Sequence, residues 1–294
     1  PAAADADKTP TAPAPAPAAL PDGKKVIQVD TRVENIGRRA PLEVGLVGDC
    51  KATLEALASL VRPKGDDKFL NAMTKTRDKW LKQMKEQASL DRTDEPLHPQ
   101  LFARAVSDQA ADDTIFGVDV GECTIWIARQ VSMRGERRMF GSFNHGSLGS
   151  GLPSALGAIA LDPTREVWAF CGDGGFGMAM QDFVTAVRYH WPLKVLVFNN
   201  SELGFVKMEM EVAGYAMNPA ATDLVNPNFA EFARACGGDG VRVEHAKDIG
   251  PAVERARASS KPFLIEAMVS SGELTMPPHI ETKPVHKQRT PRTQ

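Results

Sequence analysis

Asp173 sits inside a glycine run, Gly172-Asp173-Gly174-Gly175-Phe176-Gly177, and a pair of amides, Asn199 and Asn200, closes an apolar segment further along the chain. Glycines let a backbone come close to a diphosphate, and a helix that opens at such a run directs free N–H groups at the anion. Asp173 offers one hard anionic oxygen and Asn200 a neutral amide oxygen. That pair suits Mg²⁺, which prefers oxygen and usually takes one or two protein groups together with substrate phosphates. The chemistry these residues could do together is the capture of a magnesium diphosphate.

Capture requires the two segments to meet. Residues 166–171 (EVWAFC) and 194–198 (KVLVF) are short, β-rich apolar runs, and 178–190 between them has helical periodicity, so the unit reads strand, turn, helix, strand. A right-handed crossover lays two such strands parallel in one sheet, ending on the same edge. Asp173 and Asn200 then come together although a helix separates them in sequence. Gly172, Gly174 and Gly177 also fit G-x-G-x-x-G, a weak pattern for a Rossmann dinucleotide site. Such a site wants an acidic residue at the end of the next strand, where this chain has Asn199 and Asn200. The magnesium diphosphate reading is preferred, with a nicotinamide dehydrogenase as an alternative.

The pattern Gly172-Asp173-Gly174 ending in Asn199-Asn200 resembles the thiamine diphosphate fingerprint. FNHGS (143–147), CGDGGF (171–176) and FNNSELGF (198–205) resemble thiamine diphosphate-dependent pyruvate oxidases of the quinone-reducing type, also called pyruvate dehydrogenase (quinone), and the likeness runs over about residues 25–280. The resemblance implies that Asp173 and Asn200 bind Mg²⁺ through their side chains and Glu202 through its backbone carbonyl. That family usually has a small apolar residue at this last position, and a backbone ligand tolerates Glu202.

It implies further that the 119–121 turn (Asp119, Val120, Gly121) and the loop 141–151 (GSFNHGSLGSG) hold the aminopyrimidine of the cofactor. Gly146 matches the glycine whose carbonyl accepts the exocyclic amine. Leu148 matches the apolar wedge that bends the cofactor, often Met in the family. Val120, Ser147, Gly174, Gly175, Ser201, Leu203, Gly204 and Val206 fall in the cofactor-binding set, and Phe205 matches a mobile aromatic that enters the active site, with plain core packing as its alternative. His145 could serve as an acid or base, although a histidine in such a loop is more often structural. The implied reaction is the decarboxylation of pyruvate to acetate and CO₂, with two electrons passed through FAD to a quinone. A non-oxidative relative, such as an acetolactate synthase or 2-oxo acid decarboxylase, would share every thiamine residue named here, and a non-catalytic cofactor-binding or scaffold fragment is a further alternative.

Around the site, strand and helix alternate over 97–280: strands at 114–120, 166–171, 194–198, 241–244 and 262–269, with helices from Pro99, near Pro153, and around Phe229 and Ile249. This predicts an α/β doubly wound parallel sheet of the thiamine diphosphate-binding kind, covered on both faces. Before it, residues 25–29 (KVIQV) read as a strand ending at Asp30, with a helix at 52–61, the C-terminal part (24–62) of an α/β nucleotide-binding domain. The resemblance implies that Asp30 contacts FAD; a plain turn carboxylate is its alternative, and Asp49 is a weaker candidate of the same kind. Residues 63–96 read as a charged helical connector whose packing stripe is Phe69, Met73, Trp80 and Met84. Residues 1–23 are Ala/Pro-rich, which predicts a disordered or extended linker, and 281–294 form a basic tail with Lys283, Lys287, Arg289 and Arg292.

The 294 residues carry a formal net charge of −2, so a general nucleic-acid binder is excluded. The four cysteines make no CxxC and no metal spacing, and Cys171 reads as core rather than reactive. No apolar run approaches the ~20 residues of a membrane span, and a signal peptide is not evident, so the expectation is cytoplasmic, with at most weak peripheral adhesion of the tail at the inner membrane face. The resembled family also uses a pyrimidine-binding domain whose Glu comes from a neighbouring subunit. No segment here matches it, which predicts a fragment or one half of a split enzyme, incomplete by itself and working as a homo-oligomer, such as a dimer of dimers, or with a partner subunit.

Overall fold

A computed structural model of the chain describes residues 23–92, 95–216 and 218–272. The Ala/Pro-rich stretch, apart from Gly23, and the basic tail lie outside these residues. The chain divides into two compact units, Pro1–Met73 and Thr74–Gln294.

In the first unit, β1 (Ile27–Asp30) pairs in parallel with β2 (Val44–Val47), Ile27 opposite Val44 and Asp30 opposite Val47. The helix α1 (Cys50–Ala58) follows, capped by Asp49, whose carboxylate accepts from the Ala52 N–H at 2.9 Å. Asp49 is therefore occupied in opening a helix. The strand β2 is not predicted by the sequence pattern, because four residues with a glycine among them carry too little alternation. Helix α2 (Lys68–Gln87) forms in the expected charged segment, but of its predicted stripe only Met84 is buried; Phe69, Met73 and Trp80 are exposed.

The second unit holds α3 (Pro99–Gln109), β3 (Ile115–Val118), α4 (Glu122–Gln130), β4 (Arg138–Gly141), α5 (Gly151–Leu161), β5 (Val167–Gly172), α6 (Asp173–Ala179), α7 (Phe183–Arg188), β6 (Lys194–Asn199), α8 (Gly204–Ala213), α9 (Pro219–Thr222), α10 (Phe229–Ala235), β7 (Asp239–Val243), α11 (Ile249–Ala258) and β8 (Phe263–Met268). Its six strands form one all-parallel sheet in the order β4-β3-β5-β6-β8-β7.

Alternation along the strands separates two cores. Phe116, Trp168, Phe170 and Phe198 face α3, α4 and α11, with Phe170 5.5 Å from Phe116 and 6.4 Å from Phe198 between ring centroids. Ala169, Cys171, Val195 and Val197 face α5, α7 and α10. Both faces are covered, as a parallel sheet requires. Burial pushes the Cys171 thiol well above its ordinary range, in keeping with a core cysteine.

The helix predicted over 178–190 is broken. Helical structure begins at Asp173 itself, α6 gives way to a 3₁₀ turn at Met180–Asp182, and α7 resumes at Phe183. The glycines that open α6 have poor intrinsic helix propensity, so the pattern reads as a turn where tertiary packing makes a helix. The helices α4 and α8 are likewise absent from the sequence prediction. Among the described residues no helix is long and apolar enough to cross a membrane.

Gly117 brings β3 against the backbone of α5: a Cβ there would lie 2.7 Å from both the Ala155 nitrogen and the Gly151 oxygen. Gly117→Ala is expected to lower the unfolding free energy by about 1–3 kcal/mol. Gly157→Ala, in open space on α5, should be neutral or stabilise by up to about 1 kcal/mol. Urea denaturation of both variants beside the wild type checks the pair.

Candidate functional site

Three neighbouring strands, β3, β5 and β6, deliver the site to one sheet edge. Their carboxyl ends carry Asp119-Val120-Gly121, Asp173 and Asn199-Asn200 in turn. The chain steps from β3 outward to β4 and then returns to the other side of β3 with β5, so the strand order reverses there, which opens a crevice at the ends of the strands. Asp173 is tied to the chain just past Asn199-Asn200: the Ser201 N–H donates to Asp173 Oδ2 at 2.7 Å.

Asp173 is buried, and burial raises its carboxyl above the ordinary range. Hydrogen bonds to the carboxylate oppose that rise. The Gly174 N–H reaches Oδ1 at 2.8 Å, and the Ser201 N–H and the Asn226 amide reach Oδ2, the latter at 2.8 Å. The same Asn226 amide nitrogen lies 3.0 Å from Asn199 Oδ1, while Asn199 Nδ2 donates to the fully buried Glu266 at 2.9 Å. Asn199 is thus structural, the link between Asp173 and the β8 carboxylate. Neither Asn226 nor Glu266 was marked by motif or spacing; each is an isolated polar residue whose role exists only in the folded chain.

Asn200 is held from both ends of its amide. Its Oδ1 accepts from the Glu202 N–H at 3.2 Å, and its Nδ2 donates to Glu122 Oε2 at 3.1 Å. Ser201 between them takes φ +59°, the left-handed turn that brings the chain back on itself after β6. The Glu202 side chain pairs with Lys207 Nζ at 2.5 Å. Burial, then the negative charges of Glu202 and Asp173, push the Glu122 carboxyl up to about 7.

Asp119 organises the loop. Its Oδ1 accepts from the N–H groups of Val120 and Gly149, each at 2.8 Å, and of Ser150 at 3.1 Å. Oδ2 is buried without a partner among the described residues and lies where a Cβ on Gly175 would sit, so only glycine fits at the start of α6 here. Burial raises this carboxyl too.

These elements enclose a cavity of about 300 Å³. Of the predicted site residues, Val120, Gly146, Leu148, Asp173, Gly174, Gly175, Asn200, Glu202, Leu203, Gly204, Phe205 and Val206 line it. Ser147 and Ser201 stand outside the lining, and His145 is exposed beyond it. Phe205 is half-buried in the first turn of α8, at the cavity wall rather than in the core. Asp30 belongs to the other unit, where its carboxylate accepts from the Arg32 N–H at 2.8 Å and Asn35 Nδ2 at 3.1 Å. Those bonds, the Arg32 one first, hold its carboxyl below the ordinary range. Glu122, Cys123 and Trp126 also line the cavity, presented by a helix that the sequence pattern does not predict.

The donor chemistry fits a hard cation beside a diphosphate. Among the described residues no group of three His, Cys, Asp or Glu side chains is placed to hold a metal. A cation here would draw on the Asp173 carboxylate, the Asn200 amide oxygen and the Glu202 carbonyl, an all-oxygen set suited to Mg²⁺. The buried Asp173 carboxylate is the anionic member of that set. The backbone of Gly174 and Gly175 lines the same cavity, open to a close anionic ligand.

Residues 119–267 match the model of the thiamine pyrophosphate enzyme, C-terminal TPP binding domain. YdaP of Bacillus subtilis, described provisionally as thiamine pyrophosphate-containing, is 36% identical over 252 residues, covering 86% of this chain and 43% of that protein. The acetolactate synthase large subunit of Corynebacterium glutamicum is 31% identical, covering 87% and 42%, and the pyruvate oxidase of Lactiplantibacillus plantarum 28%, covering 88% and 43%. The chain spans less than half the length of these relatives.

Asn226→Ala removes the donor that Asp173 and Asn199 share and is expected to cost about 1–3 kcal/mol of stability. Asn226→Asp keeps the shape but sets another carboxylate against Asp173 and should cost at least as much. Urea denaturation reads both.

Proposed function

Since the chain belongs to the thiamine pyrophosphate enzyme family, we propose that it supplies the diphosphate and Mg²⁺ half of a site for oxidative decarboxylation of pyruvate, which with one water yields acetate and CO₂ and passes two electrons through FAD to a quinone. The observation that carries the reading is the convergence of Asp173, Asn200 and Glu202 on one cavity whose wall includes the Gly174-Gly175 backbone. Thiamine diphosphate, when bound, supplies the electron sink for the carbon that loses CO₂. The protein's own part is positional. Asp173, Asn200 and the Glu202 carbonyl would hold the cation, Gly174 and Gly175 would admit the diphosphate, and Val120, Gly146 and Leu148 would seat the aminopyrimidine, with Leu148 as the wedge. Phe205, at the cavity wall, would enter the active site as a mobile aromatic beside the reacting end. Ser147, Ser201, Leu203, Gly204 and Val206 complete the surroundings, with Ser201 acting through its N–H to Asp173 rather than by contact.

Asp30 as an FAD contact would have to share a carboxylate already accepting two hydrogen bonds. A pyrimidine-binding domain, from a second copy or a partner subunit, would provide the Glu that acts on the aminopyrimidine. The second reading, a non-oxidative enzyme of the acetolactate synthase type, draws on the likeness to the Corynebacterium glutamicum protein. Bleaching of bound flavin on anaerobic addition of pyruvate to the assembled protein supports the oxidative reading; acetolactate formed without bleaching supports the other.

Calorimetric titration of the chain with thiamine diphosphate is expected to show binding with Mg²⁺ that EDTA abolishes. Asp173→Asn, which removes the only anionic oxygen of the cation set, should weaken it by at least about 10-fold. Equal binding by mutant and wild type would remove Asp173 from the metal role.

A further inference from the structure

Glu122 has no place in the reading above, yet its carboxylate lies within the cavity and touches Asn200. Its Oε2 accepts from Asn200 Nδ2 at 3.1 Å, while the Glu202 N–H donates to Asn200 Oδ1 at 3.2 Å from the other side. An amide has two ends of similar shape and opposite hydrogen-bonding sense. With an acceptor at one end and a donor at the other, only one orientation of Asn200 satisfies both, the one that keeps its nitrogen on Glu122. Turned over, the amide would set oxygen against carboxylate and N–H against N–H.

A second observation shows that space for Glu122 is built in. Gly204 opens α8 directly beneath it, and the three atoms nearest to a Cβ added there are the Glu122 carboxylate oxygens and their carbon. The Gly204 backbone is not in the left-handed region, so conformation alone does not require glycine there. Glycine at 204 is therefore what lets the Glu122 carboxylate sit against Asn200. Lys207, the nearby cation, is committed to Glu202.

We propose that Glu122 is a positioning residue, which acts through its hydrogen bond to fix the Asn200 amide with the oxygen presented as a cation ligand. The inference rests on the thiamine diphosphate and Mg²⁺ reading of the cavity. It assigns to Glu122 no contact with the cation and no proton transfer. A purely electrostatic role would follow charge alone, whereas this role follows the acceptor oxygen, so Gln at 122 separates the two.

The test is Mn²⁺ binding to the full chain in the presence of thiamine diphosphate, read from loss of the free Mn²⁺ electron paramagnetic resonance signal, with thermal unfolding to confirm that each variant is folded. Glu122→Ala should weaken binding by about 10-fold or more, the size of effect seen when partners of metal ligands are removed. Glu122→Gln, which retains an acceptor for the Asn200 amide, should stay near wild type. Gly204→Ala, which displaces the carboxylate, should mimic Glu122→Ala, and the double variant should be no weaker than Glu122→Ala alone, because both remove one interaction. Equal loss in Gln and Ala variants would overturn the proposal in favour of charge, as would wild-type binding by Glu122→Ala or additive losses in the double variant. A folded wild type that binds no Mn²⁺ with thiamine diphosphate would overturn the cofactor reading itself, and this inference with it.

Discussion

A carboxylate taken out of water must be surrounded by donors, or it gives up its charge. This constraint shapes the working edge of the sheet, where Asp119, Asp173 and Glu266 are all buried. Asp119 draws its donors from its own turn and from the Gly149-Ser150 backbone. Asp173 draws them from Gly174, from Ser201 beyond β6 and from Asn226. Glu266 takes Asn199 and lies 3.3 Å from the Ala230 N–H at the head of α10. Each carboxylate thereby fastens together elements that are remote in sequence, and a loop that moved would leave a buried charge without partners.

The remaining charge is as informative as the satisfied charge. Glu122, Asp173 and Glu202 share one cavity wall, and among the described residues only Glu202 has a cation, Lys207, at hydrogen-bond distance. Burial first, and then the charges of Glu202 and Asp173, push the Glu122 carboxyl up to about 7. A divalent cation held by Asp173 would neutralise a charge that the fold has already desolvated.

Glycine has two different jobs at this edge. At Gly175 and Gly204 the missing Cβ makes room for a carboxylate, Asp119 in one case and Glu122 in the other. At Gly146 and Gly149 it permits the positive φ of the loop, +71° and +85°. A glycine pattern read from sequence cannot distinguish these jobs, which is why G-x-G-x-x-G is ambiguous here: a Cβ on Gly172 or Gly177 would meet nothing within 4 Å, whereas Gly175, which that pattern leaves unspecified, is sterically the most constrained of the run.

The sequence by itself determined the alternation of strand and helix from Pro99 onward, the parallel sheet, and the meeting of Asp173 with Asn199 and Asn200, because hydrophobic periodicity and the handedness of crossovers are local or near-local rules. It also carried the motifs of the cavity lining, from Val120 to Val206. Tertiary structure alone decided that helix begins at Asp173, that α4 and α8 exist, and that Phe69, Met73 and Trp80 remain exposed, since glycine-rich or short amphipathic segments take their state from what packs on them. It alone brought Glu122, Asn226 and Glu266 to the site. Those residues belong to no motif; their partners lie far away along the chain, and the need to satisfy a buried polar atom becomes visible only once the atom is buried.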